Sequence, residues 1–185
     1  HEYTSSKQQV VEKRIITSDV VLSTEQLHEK YNITSQCMPV FVEETVDLIT
    51  RLMPKLKTLY FVSGDDQFSR TKGSELSSYM TEKYPKIGYK ELVSGALLTD
   101  DLIKTVDGLN HETDAVIFSS WISYNSYSTS FVLMNSAMYL LEASKAPTFV
   151  IRDNGWIEEK SRAVGGCVCD EDQYYDALSK VVKKV

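Results

Sequence analysis

The stretch "KLKTLYFVSGDD", residues 55–66, decides how this chain is read. Leu59 to Val62 form a dense apolar run that stops abruptly at Ser63, Gly64 and two adjacent carboxylates, Asp65 and Asp66. A short apolar run closed by a turn signal is the pattern of a buried strand. Acids at the tip of such a strand have four readings. They hold a magnesium ion, serve acid–base chemistry, recognise a small ligand, or cap the helix that follows.

The same theme repeats along the chain. "VFVEETVDLITRLMP" places Val42, Val46, Ile49 and Met53 at helical spacing and stops at Pro54. "QFSRTKGSELSSYMTEKYP" does so through Phe68, Leu76 and Met80 before Pro85. "IGYKELV" (87–93) alternates as a strand does, and "TDDLIKTVDGL" reads as a helix capped by Thr99 with acids in its first turn. "DAVIFSS" (114–120) is another buried strand and "SFVLMNSAMYLLEASK" (130–145) an apolar helix. "PTFVIRD" (147–153) and "GGCVCD" (165–170) read as strands, and "DQYYDALSKVVKKV" closes the chain as an amphipathic helix.

Apolar strands alternating with helices require a parallel sheet covered on both faces. The expected fold is therefore α/β: a doubly wound, mainly parallel five-stranded open sheet with helices on both faces, over residues 39–185. Ligands of such sheets bind beyond the carboxyl ends of the strands, where the strand order reverses. That puts Asp65 and Asp66 on the functional edge. Residues 1–38 stand apart as an N-terminal extension or hinge segment. There "VVEKRIITSDVVLS" reads as strand or helix and "TEQLHEKYN" as helix.

The 185 residues are 42% hydrophobic and 25% charged, ordinary globular values. A net charge of −6 opposes a nucleic-acid surface, which would be basic. No apolar run approaches the roughly 18 residues of a membrane span, and the opening residues are not expected to be a signal peptide. "HEYTSSKQQ" lacks an initiator Met, so a chain processed or cut from something larger is expected, with any membrane contact made by a segment outside it. Cys37, Cys167 and Cys169 lack CxxC spacing and read as ordinary buried or half-buried thiols. "NIT" (32–34) fits a glycosylation sequon, a pattern too common to carry weight.

Several chemistries lack their signatures. No GxxxxGK[ST] or GxGxxG follows a strand, and no GxSxG elbow is present. His1, His28 and His111 fall away from the strand ends and read as surface residues. A response-regulator receiver also pairs two acids after its first strand, but it needs an Asp at the end of its third. Here "DAVIFSS" ends in Ser119 and Ser120, Asp114 is at the opposite end, and "PTFVIRD" supplies Arg152 and Asp153 in place of a strand-terminal Lys.

"NITSQCMPVFVEETVDLITRLMPKLKTLYFVSGDD" (32–66), "DAVIFSSW" (114–121), "APTFVIRDNGW" (146–156) and "AVGGCV" (163–168) resemble, in order and spacing, the second half of type I periplasmic binding proteins, particularly the ABC-transporter substrate-binding group. "RAVGGCVCDEDQYYDAL" (162–178) is similar to the variant found in extracytoplasmic sensors of hybrid two-component histidine kinases of Bacteroidetes. The resemblance implies α/β lobes that close on a small ligand. It also implies a periplasmic or extracytoplasmic location, and a second lobe or a homodimer partner, since one lobe's worth of βα units is present. "ITS" stands where the family reads Ile-Thr-Gly, so ligand identity does not carry over.

By position, the family's ligand loops are 63–67, 119–127 and 152–156. The candidate ligand-binding residues are Ser63, Asp65, Asp66, Ser119, Ser120, Trp121, Tyr124, Asp153 and Asn154. Aromatic and hydroxyl groups together suit a small polar or aromatic ligand. The competing readings stay open: Asp65 and Asp66 as helix caps, Trp121 folded down onto its own lobe, and Asp153 with Asn154 as a turn. No catalytic residue, metal or cofactor is expected. The sequence thus reads as the ligand-sensing domain of a two-component kinase, the alternatives being a transporter's solute-binding component or a protein-interaction module without small ligand.

Overall fold

The computed structural model describes residues 14–17, 20–23, 29–30, 38–124, 129–131, 142–152 and 163–182. In chain order its elements are β1 (Arg14–Thr17), β2 (Val20–Ser23), α1 (Val42–Leu52), β3 (Thr58–Ser63), α2 (Gln67–Lys83), β4 (Gly88–Val93) and α3 (Thr99–Asp107). There follow β5 (Asp114–Phe118), β6 (Ile122–Tyr124), β7 (Thr129–Phe131), β8 (Thr148–Val150), β9 (Ala163–Gly165) and α4 (Glu171–Val182). The chain divides into two compact units, residues 41–168 and residues 1–40 with 169–185. The second unit carries helix α4 and an antiparallel β1–β2 hairpin in which Arg14 pairs with Ser23 and Thr17 with Val20.

The larger unit is the expected α/β fold. Five strands lie side by side in the order β4-β3-β5-β8-β9, and every pairing is parallel. From β3 the chain steps outward to β4, then returns through α3 to place β5 on the other side of β3. The direction of winding therefore reverses between β3 and β5, which makes that gap the crevice where ligands of open α/β sheets bind.

Alternation along the strands divides the core. Tyr60 and Val62 of β3, Val116 and Phe118 of β5 and Val150 of β8 cluster with Leu102 and Val106 of α3. The intervening Leu59, Phe61, Ala115, Ile117 and Phe149 are equally buried and point to the opposite face. On that face α2 touches β3 and β4, and α1 lies against α2, with Val46, Ile49, Leu76 and Met80 buried between them and the sheet. Helices α1 and α2 stop two residues before Pro54 and Pro85, which cannot continue a helix.

Polar contacts tie the pieces. Thr45 of α1 donates its hydroxyl to the Phe41 carbonyl at 2.7 Å and accepts from the Cys167 N–H at 3.1 Å. Asp47 of α1 accepts from the Tyr79 and Tyr84 hydroxyls at 2.7 and 2.8 Å and from the Lys83 ammonium, which joins α1 to α2. Burial raises the Asp47 pKa, but these donors outweigh it and hold the carboxyl below its ordinary value.

Four local expectations are corrected. Leu98 is the cap residue of α3, and Thr99 is the first helical residue. The polar stretch after Ser120, expected as a loop, contains β6, which pairs antiparallel with β7: Ile122 opposite Phe131 and Tyr124 opposite Thr129. Branched and aromatic residues alternating with serine favour that pairing, and Ser130 and Phe131 therefore belong to a strand rather than to the expected helix 130–145. Of that helix, Glu142 and Ala143 are helical, and 132–141 lie outside the described residues. The last strand is Ala163–Gly165, not 165–170, and its pairing with β8 shifts register between Thr148 and Phe149. A Cβ on Gly166 would collide with the Val150 carbonyl, so the glycines mark where β9 closes on β8 and ends.

Candidate functional site

Residues from three strand ends meet at the crevice. Strand β3 ends at Ser63, buried, and passes into Gly64. The next strand over, β5, runs on through Ser119, whose N–H continues the ladder to the Val62 carbonyl at 2.9 Å. Ser120 follows, and its Oγ accepts the Gly64 N–H at 2.9 Å.

Asp66 is the N-cap of α2, in extended backbone conformation. Its Oδ1 accepts the Ser69 N–H at 2.9 Å and its Oδ2 accepts the Ser69 hydroxyl at 2.7 Å. The Ser69 and Ser120 hydroxyl oxygens are 3.2 Å apart. A serine has one proton to give, and that of Ser69 goes to the carboxylate, so Ser120 is the donor between them. The result is a directed chain: Gly64 N–H to Ser120, Ser120 to Ser69, Ser69 to Asp66. Each bond polarises the next. Gly64 is needed for it, because a Cβ there would stand 2.7 Å from Asp66 Oδ2 and 2.8 Å from Ser120 Oγ.

The chain sets the Asp66 charge. Burial raises its pKa, yet the hydroxyl and backbone donors of Ser69 more than compensate and keep it below the ordinary 3.8. A folded-state pKa below the unfolded one stabilises the fold above pH 3.8 and loses that contribution as pH falls through the folded value. D66A is expected to cost about 0.5–2 kcal/mol at pH 7 through the lost cap. In D66N, which still caps but cannot ionise, the deficit at pH 7 should shrink as pH falls below 3.8. Urea unfolding at pH 7 and pH 3 checks both; a D66N deficit of equal size at both would exclude the charge as its source.

The other candidates are placed differently. Asp65 is exposed and pairs with Arg70, Oδ1 to Nε at 3.1 Å, a contact of about 0–1 kcal/mol. Trp121 is only 5% exposed: its ring joins the core cluster and its Nε1–H donates to Thr99 Oγ1 at 3.1 Å, fastening the end of β5 to the start of α3. Tyr124 is in β6. Asp153 and Asn154 lie outside the described residues, as does Cys37. Ser63, Asp66, Ser119 and Ser120 are thus brought together, with Asp66 in the capping role.

Sequence reading passed over Arg152 as a ligand residue. It stands just beyond β8, with its guanidinium carbon 3.7 Å from the centre of the Phe68 ring in the first turn of α2. Its Nε is buried and has no hydrogen-bond partner among the described residues. Burial lowers its pKa and the Asp66 carboxylate only partly offsets that. A cation at the carboxyl end of a buried strand was the visible signal; that Phe68 would lie beneath it was not.

A groove of about 480 Å³ lies elsewhere in this unit, on the outer side of α1 and α2, and includes Glu43, Glu75, Glu82 and Tyr79 in its lining. Among the described residues no three metal-ligating side chains come together; Cys167 is half-buried, and Cys169 is buried with its Sγ donating to the Asp170 carbonyl at 3.5 Å. No helix among them is long and apolar enough to cross a membrane. Comparisons of the chain with protein families, with curated proteins and with solved structures find no match.

Proposed function

We propose that this chain is a ligand-sensing domain that binds a small molecule at the strand-end crevice without transforming it, acting outside the cytoplasmic membrane as the input of a two-component histidine kinase. The observation that carries the binding reading is the coincidence of two things: the reversal of winding between β3 and β5, and the gathering there of Gly64, Asp66, Ser69, Ser119 and Ser120 beside Arg152. The state of the hydroxyls supports binding over catalysis. Ser120 donates to Ser69 and accepts from Gly64, so its proton points toward another hydroxyl rather than a base. The kinase assignment rests on the sequence resemblance. In such a device ligand shifts the population of two arrangements of lobes or subunits.

Screening the 185-residue chain against pools of polar metabolites by thermal shift tests the binding reading. A compound at 100 times its Kd adds about 2.7 kcal/mol, an expected rise of about 5–10 °C in melting temperature for a chain of this size. No binder, together with concentration-dependent self-association, would favour an interaction module. Turnover of a binder would overturn the non-enzymatic part. The genomic reading frame past Val185 should continue into a membrane span and a histidine kinase; a stop codon there would favour a transporter's solute-binding component instead.

A further inference from the structure

Arg152 is a cation held against an aromatic ring, with no hydrogen bond or ion pair among the described residues. Phe68 covers one face of its guanidinium at 3.7 Å, its Nε is sealed from solvent with no partner, and it makes no ion pair among the described residues. The acid that acts on it, Asp66, has an oxygen committed to each Ser69 donor. Arginine loses little further freedom on binding when its planar fork is already fixed. Among the described residues the two terminal nitrogens make no hydrogen bond, and they are not sealed off without a partner as Nε is, so the end of the fork remains available.

We infer that Arg152 is the anchor for the carboxylate of a small monoanionic ligand, taken end-on by its two terminal nitrogens while Phe68 fixes the guanidinium plane. This rests on the binding reading above and names the ligand class. A planar carboxylate matches the fork with two parallel charge-assisted hydrogen bonds. Asp65 and Asp66 on the same rim disfavour a dianion such as phosphate, which they would repel more strongly.

Sodium acetate, sodium phosphate and acetamide are titrated against sodium chloride at matched ionic strength, following the Arg152 Nε–H and the Gly64 and Ser69 amides by NMR. Acetate is expected to give saturable shifts, with phosphate weaker and acetamide flat. R152M should keep the melting temperature of the parent or raise it, because Met preserves packing on Phe68 and removes an unpaired half-buried charge. It should weaken acetate, and any carboxylate found by the metabolite screen, by about 10- to 100-fold, the loss expected for charge-assisted hydrogen bonds. R152K, with charge but no fork, should recover only part.

Acetate shifts that merely track ionic strength, or an R152M melting temperature lower by about 5 °C or more, would overturn the assignment, the latter by showing the cation to be structural. A neutral metabolite whose affinity R152M leaves within about twofold would overturn it while the binding reading stood. A flat acetate titration with no binder in the screen would remove both.

Discussion

F61A is expected to lower the unfolding free energy by about 3–5 kcal/mol, the range for deleting a fully buried phenylalanine. Phe61 has no exposed surface and sits mid-way along β3, hydrogen-bonded between β4 and β5 with Glu91 and Ile117 as its neighbours in register. Its side chain points to the face covered by α1 and α2, opposite the cluster built on Tyr60 and Val62. A central strand held on both edges cannot move inward to fill the void, so the cavity cost is added to the lost transfer energy. In urea the midpoint should fall with an unchanged slope. L52A, at a position 62% exposed, is the control and should change stability by no more than about 0.5 kcal/mol. An F61A cost under about 1 kcal/mol would mean that the α1–α2 face of the sheet is not packed.

G64A should cost about 1–3 kcal/mol, the range for overpacking a tight site. The cause is local. The new Cβ falls 2.7 Å from Asp66 Oδ2 and 2.8 Å from Ser120 Oγ, and both atoms are committed to the hydrogen-bond chain. Relief requires moving the cap, the serine or both. A double-mutant cycle separates this from a generic glycine effect. Removing the Asp66 side chain deletes one of the two obstructing atoms, so G64A/D66A should be less destabilised than the sum of the single variants, by about 0.5 kcal/mol or more. Strict additivity would show that the approach of Gly64 to Asp66 is not what makes glycine necessary. The same variant should also weaken any ligand found at the crevice, because Gly64, Ser120 and Asp66 set the spacing between the ends of β3 and β5.

The two sites differ in kind. Phe61 reports on the scaffold, whereas Gly64 reports on the link between two loops that the scaffold carries to one place. Ser120 is 56 residues from Gly64 along the chain, yet bonded to it at 2.9 Å. That bond exists only because β5 pairs directly with β3.

Local physics was readable from the residues alone. The apolar run Leu59–Val62, the helical spacing of Val42, Val46 and Ile49, and the stops at Pro54 and Pro85 are short-range signals, and the strands and helices form where they point. The capping role of Asp66 was one of the open readings for the same reason, since a carboxylate three residues before a free N–H acts within one turn. The hairpin of β6 and β7 was missed because the segment mixes tyrosine, which favours strands, with serine and asparagine, which favour turns, and pairing decides between them.

Order in the sheet, by contrast, is a long-range choice. Nothing local says that β5 lies beside β3 rather than beyond β4, because every parallel neighbour offers the same backbone groups. That choice created the crevice, turned Trp121 into the core and set Ser120 against Gly64. It also laid Arg152 over Phe68, a partner 84 positions away in sequence. Sequence determined which groups end each strand; tertiary pairing decided which of them meet, because a side chain's partners depend on which strands become neighbours.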